Sequence, residues 1–194
     1  MKRFNIKKIA YDALLLSTLV VCSWISIPIG ASPITMQVFG IILIILLAPG
    51  LDSIIIILLY VLMGSLGLPV FNGGSSGIAS PTYGFIIGFL VSSILIYIYI
   101  LLFQKKRCEK LADIIIKCII FEIVIYICGI SYFTIITSTK SFLGWLIYFL
   151  PYIGIDIIKC VFAILVYTKL FPLLKKISEQ NMQSDDDNQD KKDI

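Results

Sequence analysis

Six apolar segments, each closed by Pro, Gly or charged residues, divide this chain at roughly 9–28, 35–48, 51–68, 83–103, 113–135 and 145–172. An α-helix needs about 20 apolar residues to cross the ~30 Å hydrocarbon layer of a bilayer. The hydropathy therefore predicts an all-α integral membrane protein, a bundle of six transmembrane helices. The second segment is short, and only Ala48–Asp52 separates it from the third. Pro49 and Gly50 break the helix there, so the two read as a helical hairpin. The first segment is too long for a signal peptide and no small-residue cleavage site follows it, so it is expected to stay as a membrane helix. With 59% hydrophobic and 14% charged residues among 194, the spans leave no room for a soluble catalytic domain.

The basic residues set an orientation, because cytoplasmic loops carry the excess of Lys and Arg. Lys2, Arg3, Lys7 and Lys8 precede the first span, Lys105, Lys106, Arg107 and Lys110 lie between the fourth and fifth, and Lys175 and Lys176 follow the sixth. Only Lys140 falls in a predicted outside loop. Both termini are thus expected inside. Residues 1–174 form the membrane domain, and 175–194 ("KKISEQNMQSDDDNQDKKDI") a polar, disordered cytoplasmic tail. The absence of His removes the usual general base and the commonest metal ligand. Cys22, Cys108, Cys118, Cys128 and Cys160 have neither C-x-x-C spacing nor clustering and read as small hydrophobes. No catalytic residue, cofactor or metal site is expected.

Ionisable groups inside spans are costly, at about 2.5–3.5 kcal/mol or more near the bilayer centre, and so mark function or pairing. Asp12 and Lys117 are expected to snorkel from near the cytoplasmic face. Glu122 is deeper, either held neutral or paired within the bundle or functional. In "LPYIGIDIIKCVF" Asp156 and Lys159 stand three residues apart, on one helical face. They form a structural ion pair or part of a ligand site. Across from them, "GLPVFNGGSSGIASPTYG" (67–84) is far longer than a turn needs and brings Asn72 to the same outer mouth. Thr35 and Gln37 of "SPITMQVF" add neutral hydrogen-bonding groups there.

The run from Ser32 to Phe89, followed by "DIIK" in the last span, resembles the BioY family, the biotin-binding S components of energy-coupling factor (ECF) transporters. The resemblance covers most of residues 10 to 172. It rests on P-x-T-x-Q (Pro33–Gln37), L-x-G-x-x-G-L-P-V-F-x-G-G (Leu62–Gly74), P-T-x-G-x-x-x-G-F (Pro81–Phe89) and D-x-x-K (Asp156–Lys159), in this order and spacing. The chain departs from the family's P-T-G-G-Y, since Tyr83, Gly84 and Phe85 follow Thr82, and the phenol has moved by two positions.

What the resemblance implies is a bacterial cell-membrane subunit that captures biotin from outside for ATP-driven uptake. Its partners would be an ECF transmembrane scaffold subunit and two ATPase subunits. No G-x-x-x-x-G-K-[ST] loop is present, so the chain itself would bind and not hydrolyse. Asn72 would read the ureido group, Gly73 and Gly74 would let the backbone approach the ligand, and Phe71, Phe85 and Tyr152 would pack against it. Lys159 would serve either the ureido oxygen or the tail carboxylate. For docking, Ala10, Ala13 and Ser17 form a small-residue stripe at the cytoplasmic half of the first span, matching the A-x-x-x-A type motif of S components with the second Ala replaced. The alternative is an ion-coupled secondary transporter of a small carboxylate-bearing solute, with Asp156 or Glu122 as its coupling group.

Overall fold

The computed structural model describes residues 6–28, 33–103, 111–137 and 142–190. Six α-helices follow in order: α1 (Ile6–Trp24), α2 (Gln37–Leu47), α3 (Leu51–Ser65), α4 (Tyr83–Phe103), α5 (Leu111–Ile136) and α6 (Phe142–Asp190). Two two-residue strands, β1 (Ser26–Ile27) and β2 (Ile34–Thr35), pair antiparallel between α1 and α2, and a 3₁₀ turn, Asn72–Gly74, lies between α3 and α4. Among the described residues, three stretches are long and apolar enough to cross a membrane: Tyr83–Phe103, Leu111–Ile136 and Tyr148–Leu173. The helix α2 has 11 residues and α3 has 15. Both fall short of the roughly 20 needed for a perpendicular crossing.

The sequence reading placed a second span at 35–48, and the helix found there is central and short. The residues of α2 from Gln37 to Leu46 are buried apart from Phe39, because α1, α3, α5 and α6 all pack around it. A helix hydrophobic all round is a core helix, which explains why it shows no polar face. Its turn into α3 is held by Ser53 Oγ, which donates to the Gly50 carbonyl at 2.8 Å, and Lys8 of α1 reaches Asp52 at 2.7 Å.

Along the interface of α4 with α5, small residues recur every four positions: Gly84, Gly88 and Ser92 are all buried. A Cβ on Gly84 would lie 2.3 Å from Tyr132 Cβ, and one on Gly88 would lie 3.0 Å from Ile125 Cα. Close helix approach of this kind is the main adhesive available in lipid, where burial of apolar side chains against each other gains little over lipid tails.

Lys117 departs from expectation. Six residues into α5, it was expected to snorkel, yet it is 1% exposed and lies with Cys118 and Phe121 against Ile42, Ile45 and Leu46 of α2. The register of α5 turns it inward, where the closeness of α2 outweighs the short path to water. The helix α6 runs on past the apolar stretch to Asp190, and residues 191–194 of the polar tail lie outside the described residues. Glu, Gln, Lys and Met are good helix formers, and a helix already nucleated by a packed span extends at little cost.

Candidate ligand-binding site

The loop from Leu66 to Gly77 closes one end of the bundle by a set of specific ties. Its backbone turns on itself through Gly74 N–H to Phe71 O (2.8 Å) and Phe71 N–H to Ser75 O (2.9 Å). From outside the loop, Trp24 Nε1 donates to Pro69 O at 2.8 Å, and the Tyr60 hydroxyl donates to Val70 O at 2.9 Å. The Ser23 hydroxyl reaches the same Val70 carbonyl. The Phe71 ring drops onto the bare backbone of Gly64, where any Cβ would lie 2.1 Å from its Cζ, and stands edge-on to Tyr60 at 5.4 Å. This anchoring presents Asn72 to the interior.

Beneath the loop lies a cavity of about 530 Å³ counting its open mouth. Its lining comes from Pro33, Ile34 and Thr35 of the hairpin, from Asn72 and Thr82, and from Phe85, Phe89, Ile125, Tyr126, Asp156 and Lys159. Tyr152, also on the wall, stands four residues before Asp156 on α6, hence ~6 Å nearer the helix start.

Asp156 and Lys159 are each 8% exposed, and Lys159 Nζ donates to Asp156 Oδ1 at 2.6 Å. The second oxygen, Oδ2, accepts the Tyr126 hydroxyl at 2.7 Å. Both charges are therefore compensated, as burial demands. Gln37 is buried, and its Nε2 donates to the Tyr60 hydroxyl at 2.6 Å, so the same phenol holds both Gln37 and the loop. Asn72 Nδ2 makes a long 3.4 Å contact with Thr82 Oγ1, while its Oδ1 is buried with no partner among the described residues. A buried acceptor without a donor costs stability until something donates to it.

Of the residues singled out from sequence, the structure gathers Thr35, Gln37, Asn72, Asp156 and Lys159 on this one cavity. Phe85 and Tyr152, expected as packers, line it as well. Phe71 and Gly73 do not. Phe71 is 2% exposed because its ring is spent on Gly64 and Tyr60, on the far side of the loop from the cavity. Gly73 sits at φ 64°, and a Cβ there would face Ser26 Oγ of β1 at 2.7 Å, so its glycine serves the turn and the hairpin contact. Tyr83, the displaced phenol, bonds Ser65 at 2.7 Å, away from the cavity. Ala10, Ala13 and Ser17 lie exposed on the surface of α1.

Sequence reading missed Tyr126 and Thr82. A Tyr in an apolar span carries no signal of its own, and the nearest polar neighbour on its helical face, Glu122, does not point to the cavity. Glu122 itself stands outside the cavity lining. Its Oε1 accepts from Cys160 Sγ at 3.0 Å, and its Oε2 is buried without a partner among the described residues.

The sequence profile of the BioY family matches residues 1–176. The chain belongs to the BioY family. Among its relatives, the "Biotin transporter BioY2" of Lactococcus lactis subsp. cremoris is 32% identical over 183 residues, 93% of this chain and 95% of that protein. The "Biotin transporter BioY" of Thermotoga maritima is 31% identical over 156 residues, 78% of this chain and 88% of that protein. A crystal structure of the S-component for biotin from an ECF-type ABC transporter superposes with a TM-score of 0.79 at 23% identity, covering 89% of this chain and 94% of that one. That likeness establishes a shared fold. With its family and its long apolar helices, the chain is a membrane protein.

Proposed function

We propose that this chain is the biotin-binding S component of an ECF-type transporter in a bacterial cell membrane, a binding subunit without enzymatic activity. In this reading the six helices all belong to the membrane domain, the termini face the cytoplasm, and the cavity opens outward. A scaffold membrane subunit and two ATPase subunits supply the driving energy.

The observation that carries the reading is the convergence of Asp156, Lys159 and Asn72 on one cavity. The ureido group presents donor, acceptor, donor in one plane: N–H, C=O, N–H. The cavity presents the complement, since the Asp156 carboxylate accepts, the Lys159 ammonium donates and the unpartnered Asn72 Oδ1 accepts. Phe85, Phe89, Ile125 and Phe149 supply apolar wall for the thiophane ring and methylenes. Calorimetric titration of the detergent-purified protein with biotin tests it, and a flat titration overturns it.

Loss of the Asn72 carboxamide leaves one ureido N–H without a partner in the dry site. Asn72→Ala is accordingly expected to weaken biotin binding by about 1–3 kcal/mol, some five- to hundredfold, with unchanged monodispersity in detergent. Gly73→Val acts by another route, through a β-branched residue forced into left-handed backbone at a cost of about 1–3 kcal/mol and a contact with Ser26. Its expected loss of affinity comes with a more protease-sensitive loop, whereas Asn72→Ala leaves the cleavage pattern as it was. Like affinities for both variants and wild type would reduce the loop to a connector.

For coupling, the exposed small stripe on α1 is the proposed docking face. Ala13→Trp with Ser17→Trp is expected to leave biotin affinity near normal and to abolish ATP-dependent uptake in reconstituted vesicles. Uptake at the normal rate would place the docking face elsewhere.

A further inference from the structure

The ion pair of Lys8 with Asp52 (2.7 Å) marks one membrane–water boundary, because charges at mid-depth are costly. From that level α1 and α3 rise to nearly the same height. At about 1.5 Å per residue, Lys8 to Trp24 climbs ~24 Å and Asp52 to Ser65 ~20 Å. The hydrocarbon layer is ~30 Å thick, so both helices stop short of the opposite boundary. The helices α4 and α5, of 21 and 26 residues, are long enough to reach it. The bond from Trp24 Nε1 to Pro69 O (2.8 Å) ties the ends of the short pair together at this level.

What stands there is apolar and uncharged. Trp24, Ile25 and Ile27 at the end of α1 and on β1, and Leu66 and Leu68 of the loop, are exposed, Leu66 at 84%. They continue the exposed apolar flank of Val21 on α1 and Leu62 on α3, three and four residues earlier on the same helical faces. From Ala13 to Leu51 and from Ser53 to Gln104 the sequence holds no charged residue, so nothing ionic in these connections resists transfer into lipid. The backbone is matched to the same surroundings. Between Leu66 and Phe71 every N–H has a protein acceptor, in turn Leu62 O, Gly64 O, Met63 O, Leu68 O and Ser75 O, and Pro69 has no N–H to satisfy. Lipid offers no acceptor, so a segment resting in it needs this internal pairing.

We propose that Trp24, Ile25, Ile27, Leu66 and Leu68 form a lipid-contact surface seated where acyl chains meet headgroups, so that the bilayer covers this flank of the loop above the cavity. Trp is favoured at that boundary. A short apolar flank beside a long one is met by local thinning of the leaflet. The proposal needs only that the chain spans a membrane and does not depend on which ligand it binds.

The test reads Trp fluorescence in phosphatidylcholine vesicles, with bromine on the acyl chains as the lipid-side quencher and acrylamide as the aqueous one. The chain has two Trp, so Trp145→Phe leaves Trp24 as the sole emitter. Should that variant fail to fold, Trp24→Phe subtracted from wild type gives the same signal. Trp24 is expected to lose most of its emission to brominated lipid and little to acrylamide, and to be quenched more by bromine near the headgroup than by bromine at the chain end. Strong acrylamide quenching with none from lipid places the patch in water and overturns the proposal. Shielding from both quenchers marks a protein partner on the patch and overturns it equally. Stronger quenching by bromine at the chain end overturns the placement at the boundary. No biotin is added, so failure here leaves the biotin reading untouched, and a flat biotin titration leaves this result standing.

Discussion

Asp156→Ala is expected to lower biotin affinity by more than a hundredfold and to lower thermal stability with it. Two effects combine. The ligand loses a charge-assisted acceptor, worth about 1.5–3 kcal/mol in a desolvated site. The Lys159 ammonium, 8% exposed, is left buried without its carboxylate, and removing one partner of a buried pair typically costs about 3–5 kcal/mol. The charge-neutral replacement Asp156→Asn keeps an acceptor and loses less, about tenfold or more in affinity. Pairing Asp156→Leu with Lys159→Met separates the two effects: monodispersity and melting temperature return towards wild type while binding stays lost. Glu122→Gln, outside the cavity lining, serves as the control and is expected to bind biotin near normally. Equal small losses in Asp156→Asn and Glu122→Gln would mark the α6 pair as structural.

Phe71→Ala should be nearly as damaging although its side chain touches no ligand. The ring fills the space over Gly64 and stands against Tyr60 and Tyr83 at 5.4 and 6.3 Å. Truncating a buried Phe costs about 3–5 kcal/mol. Here the deficit falls on the loop, because Phe71 is its plug and Asn72 is the next residue. The expected result is a strong loss of biotin binding, rapid proteolysis between 66 and 77, and a helical circular dichroism signal like wild type. Gly64→Leu should reproduce it from the other side, since a side chain at 64 takes the place of the ring. Normal affinity in Phe71→Ala would show that the loop holds its shape by hydrogen bonds alone.

Legibility from sequence followed the cost of misplacing a residue. Asp156 and Lys159 stood out because charged groups among Ile and Leu are expensive in lipid, and Asn72 because its polar loop is far longer than a turn needs; the three meet at the cavity. The bounds of α4, Tyr83–Phe103, coincide with the apolar run between a Pro-Thr start and the basic cluster that follows it. Aromatic residues gave no such signal. Phe71 and Tyr126 are both aromatic rings beside apolar neighbours, yet one plugs a loop from behind and the other donates to Asp156 inside the cavity. Lys117 misled because distance along a helix says nothing about which way the helix is turned. The hairpin of β1 and β2 left no trace either, as strands of two residues have no periodicity to read.

The ties between loop and bundle have a genetic consequence. The Val70 carbonyl is shared by Ser23 of α1 and Tyr60 of α3, Tyr60 in turn holds Gln37 of α2, and Trp24 grips Pro69. Three helical side chains thus fix the posture of a segment whose own residues carry little regular structure. A saturation screen for biotin-dependent growth would accordingly return a scattered map, with severe positions at 23, 24 and 60 that never meet the vitamin. Tolerated ones would appear at Ser76 and Ile78, closer to the site in sequence but facing outward.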